Sequence, residues 1–296
     1  MEDDNTRLGS ADSDTATEIA GHLATLAAIT NSGDAKFAAQ ALARLGSPGL
    51  AALTHLLADS TADTEARQWA ALALGGSHDE AVALGPLVAA LHDVNGARYL
   101  PLAAAVALGQ LGTAGAAEAL VAVLDGPSEI YSSAPYFALR EIGAPALPAL
   151  QRALETGSDL QRGRAAYLLG WLREPKAFEV LIGALRDPYA PVRLEAAGAL
   201  GALGDARAAP ALLPLLADTS ADVRAAAAYA LGRCGGAEAV PTLERLRAED
   251  HETVDTDEWE EEEMVSEYAA RALDQIADRL AATRIADEDH PGEAGS

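Results

Sequence analysis

Val192-Arg193-Leu194-Glu195-Ala196-Ala197-Gly198-Ala199-Leu200-Gly201 recurs as Val223-Arg224-Ala225-Ala226-Ala227-Ala228-Tyr229-Ala230-Leu231-Gly232. The two stretches lie 31 residues apart, and Gln161-Arg162 to Leu169-Gly170 precedes them by the same interval. A fixed period of this length is the mark of a repeat architecture. With small insertions the frame extends upstream through Leu139, Leu108, Leu74 and Leu42, giving seven units.

Within one unit Val192, Ala196, Leu200 and Leu203 fall on one helical face, and Gly204 ends the helix. Asp205 is placed to cap a second helix whose apolar stripe is Ala211, Leu212, Leu215 and Leu216. Asp218 and Ser220 mark the turn into the next unit. Each unit therefore reads helix, turn, helix, and the sequence offers no strand. The first helices are expected at about 34–45, 63–75, 98–111, 131–142, 159–172, 190–203 and 221–234. Their partners are expected at about 47–58, 79–92, 114–125, 144–155, 174–186, 205–217 and 236–248. Helical hairpins this short bury their apolar faces only by stacking, and the ends need capping. Thr15–Thr30 and Met264–Ala282 read as the capping helices.

The recurring Val-Arg-x-x-Ala-Ala-x-Ala-Leu-Gly pattern resembles HEAT repeats, in particular the short HEAT-like repeats named after the phycobilisome (PBS) lyases. The resemblance implies an all-α fold, a right-handed α-α superhelix of about seven hairpins with capping helices. The chain then divides into an acidic tail and capping helix (1–33), seven repeats (34–248), an acidic loop (249–263), a C-terminal capping helix (264–283) and a disordered tail (284–296).

Composition agrees. Only 4% of the residues are aromatic, while alanine is abundant, which suits many thin helix contacts better than one wide core. The formal net charge of −24, from 45 acidic and 21 basic residues, argues against general binding of nucleic acid or anionic membrane surfaces. Tyr99 to Ala117 carries no charge, but Pro101, Gln110 and three glycines make it a buried hairpin rather than a membrane span. The N-terminus is acidic and unlike a signal peptide, and the single cysteine, Cys234, excludes an intrachain disulfide. Both features point to the cytoplasm.

Asp187 precedes Arg193, and Asp218 precedes Arg224, by six residues. In HEAT-like repeats such residues form a ladder along the inter-repeat turns, which the resemblance assigns here to Asp125, Arg162, Asp187, Arg193, Asp218 and Arg224. The ladder breaks where Pro101 and Ser132 replace the arginine. Aromatic residues gather near the break. Tyr99, Tyr131, Tyr136, Tyr167 and Trp171, together with Trp259 in the acidic loop, are the candidate partner-binding residues. The alternative is that the aromatics fill gaps left by alanine in the core, as the shared repeat position of Tyr167 and Tyr229 suggests. The loop Glu249–Glu263 holds ten acidic residues in fifteen and reads as an extended, solvated block.

Catalytic and cofactor motifs are lacking. Asp255-x-Asp257 opens like a calcium loop without the required glycine, the histidines lack zinc spacing, and no phosphate-binding glycine loop is present. HEAT-repeat hydroxylases of the deoxyhypusine hydroxylase type bind iron through several His-Glu pairs, and here only His251-Glu252 reads so. The expectation is therefore a non-catalytic scaffold that binds a protein partner, with no cofactor, no metal and no catalytic residues. The alternative is an enzyme or enzyme subunit like the bilin lyases. A nucleic-acid-binding solenoid like the HEAT-like DNA glycosylases is disfavoured by charge, despite the cluster Arg162, Arg164 and Arg173.

Overall fold

Helix Asp159–Leu172 begins where the Ser158 side chain accepts a hydrogen bond from the Gln161 amide, and Ser220 caps Ala221–Cys234 in the same way through Val223. Side-chain caps of this kind also start the upstream first helices, at Asn31 and Asp63, and two upstream second helices, at Asp79 and Thr113. The computed structural model describes residues 3–28, 31–93, 99–126, 133–254 and 263–289. They fold as helical hairpins in two compact units, residues 1–149 and 150–296.

In the first unit α1 (Asp3–Ala28) precedes the hairpins α2 (Ser32–Arg44) with α3 (Ser47–Ala58), α4 (Thr64–Gly75) with α5 (Glu80–Leu91), and α6 (Leu100–Leu111) with α7 (Ala114–Ala122). Next come α8 (Ala134–Ile142) and α9 (Leu147–Thr156), the latter running on past the division between the units. The first helices α2, α4, α6 and α8 pack side by side in chain order.

The second unit continues with α10 (Asp159–Leu172), α11 (Phe178–Ala184), α12 (Ala190–Leu203), α13 (Ala209–Leu212), α14 (Ala221–Cys234), α15 (Val240–Glu249) and α16 (Val265–Asp289). Here α10, α12, α14 and α16 form the first-helix layer, so the C-terminal helix takes the place of one further repeat. Their facing sides are small: Ala165, Ala166, Ala196, Ala197, Ala227 and Ala228 are wholly buried beside Leu169, Leu200 and Leu231.

The glycine of each Leu-Gly pair explains the spacing. A Cβ added to Gly170 would lie 2.9 Å from the Cα of Ala199, and one on Gly201 would lie 2.8 Å from the Cα of Ala230. Gly75 against Ala107 (2.6 Å) and Gly109 against Ala138 (2.9 Å) repeat the contact in the first unit. Successive first helices thus touch backbone to backbone, and no side chain fits at these points. In α8 the glycine position holds an exposed Arg140 instead.

Two expectations need correction. The second helix expected at 205–217 is broken into a 3₁₀ turn at Ala206–Ala208, α13, and a 3₁₀ segment at Leu213–Ala217. Pro210 and Pro214 remove two amide donors from that stretch, so a regular i to i−4 ladder does not run through it. A short antiparallel pair also exists, Thr253–Val254 (β1) with Glu263–Met264 (β2), where the sequence showed no strand. A two-residue strand is too short to produce an alternating pattern.

Gly112 and Gly204 close α6 and α12 in the left-handed region, with φ of 72° and 69°. Arg173 occupies the equivalent position after α10 with φ 50°, a conformation that costs a side-chain-bearing residue energy. Arg173→Gly is expected to raise the unfolding free energy by about 0.5–1 kcal/mol in a denaturant titration. A loss of stability on that substitution would contradict the assignment of strain to this cap.

Candidate interaction surface

The ladder residues set the frame. Arg162 Nε and Nη2 donate to the two carboxylate oxygens of Asp187 at 2.7 and 2.8 Å, while Nη1 donates to the Gly157 carbonyl at 3.1 Å. Arg193 repeats the pattern with Asp218 at 2.8 and 2.7 Å and with the Asp187 carbonyl at 2.8 Å. Each arginine thus ties its own turn to the carboxylate of the next one through a planar fork of donors. The Arg162 guanidinium holds the Asp187 carboxyl below the usual carboxylate range.

The sequence reading missed the last rung. Arg224 binds Asp250 at 2.6 and 3.2 Å, and Glu252 at 2.8 Å, so the opening of the acidic loop continues the ladder. The signal was present: Asp250 follows Asp218 almost as Asp218 follows Asp187, but the dense acidic run masked it. The first unit has a rung of its own, Arg67 to Asp93 at 2.7 Å, with Arg67 also donating to the Leu57 carbonyl at 3.0 Å. Asp125 lies exposed at the end of the hairpin formed by α6 and α7.

Of the candidate partner-binding residues, Tyr131 and Trp259 lie outside the described residues, as does the centre of the acidic loop. In the first unit Tyr99 precedes α6 and is 61% exposed, and Tyr136 is half-buried on α8. That unit also has an open groove of about 720 Å³ across its first helices, lined by Lys36, Gln40, Arg44, Trp69, His78 and Glu141 among others, with charges of both signs.

In the second unit Tyr167 and Trp171 come together on α10, with ring centroids 5.1 Å apart and ring planes inclined at 43°. Tyr167 is 37% exposed, Trp171 39% and Tyr229 42%, so these rings are surface residues and do not fill the core. All three stand on first helices. Tyr167, Gly198 and Tyr229 occupy one repeat position on α10, α12 and α14, and Trp171, Ala202 and Arg233 occupy another. The central helix is therefore bare between two that carry large side chains, and a Cβ added to Gly198 would meet nothing within 4 Å. The Arg233 guanidinium lies 5.9 Å from the Tyr229 ring centroid and donates through Nε to the Gly201 carbonyl at 2.8 Å.

One turn from Gly198 on the same face of α12 is Glu195, half-buried and with no hydrogen bond among the described residues. Burial alone pushes its carboxyl up to about 7. The sequence reading did not single it out, since a lone glutamate on a repeat helix carries no motif. The charged groups on the neighbouring elements are Arg164, at the equivalent position on α10, and Asp222 and Arg233 on α14, and none of them contributes to the shift.

Other chemistry is accounted for locally. The Cys234 thiol is buried, and that burial pushes it up to about 11, so it stays protonated near neutrality. Glu252 of the His-Glu pair serves Arg224. Among the described residues no three His, Cys, Asp or Glu side chains form a group able to hold a metal, and no helix is long and apolar enough to cross a membrane.

With a raised folded-state value, the ionisation of Glu195 opposes folding. Stability contributed by its neutral form is present below about pH 4.5 and is lost as the pH rises toward 7. Glu195→Gln should therefore gain on the parent as pH rises, the difference in unfolding free energy growing by about 3 kcal/mol between pH 4.5 and 8. A difference independent of pH would show that Glu195 is not desolvated.

Comparison with known proteins agrees with this architecture. Residues 179–261 match the family model described as HEAT repeats, and residues 100–126 match the PBS lyase HEAT-like repeat. No curated protein sequence matches the chain. Solved structures similar to it include human deoxyhypusine hydroxylase in complex with glycerol, at 24% identity over 92% of this chain and 99% of that one, TM-score 0.37. The complex of CpcE and CpcF of phycocyanin lyase from Nostoc sp. PCC7120 matches at 24% identity over 86% and 93%, TM-score 0.35. Kap121p matches at 13% identity over 88% of this chain and 38% of that one, TM-score 0.50. These likenesses concern the fold. The two family models make residues 100–126 and 179–261 similar to HEAT repeats, in agreement with the stacked helical hairpins.

Proposed function

We propose that the protein is a non-catalytic scaffold that binds a protein partner through the first-helix layer of its second unit. The observation that carries this reading is the exposure of Tyr167, Trp171 and Tyr229 on helices locked in place by the Arg-Asp ladder. Aromatic side chains presented on a rigid frame lose little entropy on binding and dominate the energetics of many interfaces. These rings favour the first helices as the lining of the binding surface. The acidic surface and the buried single cysteine support a place in the cytoplasm.

The competing reading is a bilin lyase-like enzyme, suggested by the repeat type matched at residues 100–126. Incubation with bilin followed by absorbance spectroscopy separates the two, because a scaffold leaves the spectrum unchanged and retains no pigment.

Cross-linking and affinity capture with the full chain should recover a reproducible partner, and the Tyr167→Ala, Trp171→Ala double variant should lose at least about tenfold in affinity for it. Recovery of no partner across several conditions, or equal binding by the double variant, would contradict the proposal.

A further inference from the structure

The open groove of the first unit crosses four successive first helices, and one repeat position runs along it. Two residues beyond the repeated leucine stand Arg44 at the end of α2, Gly76 just after α4, Gln110 on α6 and Glu141 on α8, and all four line the groove. The row therefore passes from a cation, through a bare glycine and an amide, to an anion. Lys36, one of only two lysines in the chain, adds a second cation at the α2 end.

These groups are not spent on one another. Among the described residues the side chains of Lys36, Arg44, Gln110 and Glu141 make no hydrogen bond or ion pair. The Glu141 carboxylate leans over α6, since a Cβ on Gly109 would lie 3.2 Å from its Oε2. Trp69 forms an apolar wall, with its Nε1 donating to Glu65 at 3.3 Å. His78, at φ 56°, brings a side chain to the groove at a place where Gly46, Gly112 and Gly143 supply the positive φ. That conformation costs energy in a residue with a Cβ, and strain of this kind gathers at functional surfaces.

The charges decide between occupants. A polyanion such as a nucleic acid would meet Glu141 and a chain of net charge −24. A wholly basic segment would meet Lys36 and Arg44, and a wholly apolar one would cover ions of both signs without partners. A segment with opposite charges toward its two ends satisfies the whole row. First helices packed about 8–10 Å apart put Arg44 and Glu141 on the order of 25 Å from each other, a span of about eight extended residues. We propose that the groove seats an extended peptide of a protein partner, with an acidic side chain on Lys36 and Arg44 and a basic side chain on Glu141. The Gln110 amide, donor and acceptor at once, bonds the peptide backbone between them. The inference goes beyond the aromatic surface of the second unit by adding a site of stated chemistry on the first.

The test is fluorescence anisotropy with the full chain and a positional-scanning library of labelled decapeptides, at about 150 mM salt to suppress diffuse attraction. The parent should select Asp or Glu toward one end and Lys or Arg toward the other, each by at least about tenfold over glutamine. Arg44→Gln should lose most of the acidic preference and keep the basic one, and Glu141→Gln should do the converse. Gly76→Leu should fill the groove and weaken binding by at least about tenfold. It should keep the fold, because its Cβ meets only carbonyl oxygens of α4 itself, at 3.5 and 3.9 Å. Gly85→Leu, in open space on α5, is the control that should bind like the parent. The Tyr167→Ala, Trp171→Ala double variant should also bind the library like the parent, which separates failure of this groove from failure of the aromatic surface. No peptide bound by the parent, one sign of charge selected at both ends, or equal binding by Gly76→Leu would overturn the inference.

Discussion

The backbone-to-backbone contact between successive first helices is the constraint from which the other features of each unit follow. Gly75, Gly109, Gly170 and Gly201 leave no room for a Cβ against Ala107, Ala138, Ala199 and Ala230. A contact this close fixes where one helix lies along the next, because sliding by one residue would bring a side chain into the gap. It also explains the alanine-rich composition, since only small residues let helices approach so nearly. The gain lies in many dispersion contacts at native packing density, each weak, rather than in a few large buried side chains.

The ladder depends on that contact. Arg162 and Arg193 reach the carboxylates of Asp187 and Asp218 with both donors of the fork only because neighbouring turns are held at a constant offset. The ion pairs are partly buried, and pairs of this kind cost desolvation that their attraction repays only with good geometry. Their role is therefore best seen as fixing the offset between turns, with the small-residue contacts supplying the adhesion. The candidate surface depends on the same offset. Tyr167, Gly198 and Tyr229 share a repeat position, so equal stacking steps set a bare helix between two aromatic ones.

The first helices were legible almost residue by residue, as at Asp159–Leu172, Ala190–Leu203 and Ala221–Cys234, because their apolar period, caps and Leu-Gly ends all agree. The second helices were less so, since Pro210 and Pro214 interrupt the hydrogen bonding while leaving the apolar spacing intact. Of the site, the aromatics were visible and their exposure was not: Tyr229 read as a core residue because burial depends on how neighbouring repeats meet. Asp250 was hidden within the acidic run, and Glu195 had no pattern to reveal it. What distinguishes Glu195 is the lack of a compensating partner among the described residues, a property that exists only once the chain has folded.

Two substitutions on one helix test the central constraint most directly. Gly198 and Gly201 lie three residues apart on α12, where alanine is preferred to glycine by about 0.5–1 kcal/mol on propensity alone. Measured by denaturant unfolding, Gly198→Ala should gain about that amount because its Cβ enters open space, while Gly201→Ala should lose about 1–3 kcal/mol because its Cβ meets the backbone of Ala230. Equal gains at both positions would show that the first helices do not pack backbone to backbone, and would contradict the account.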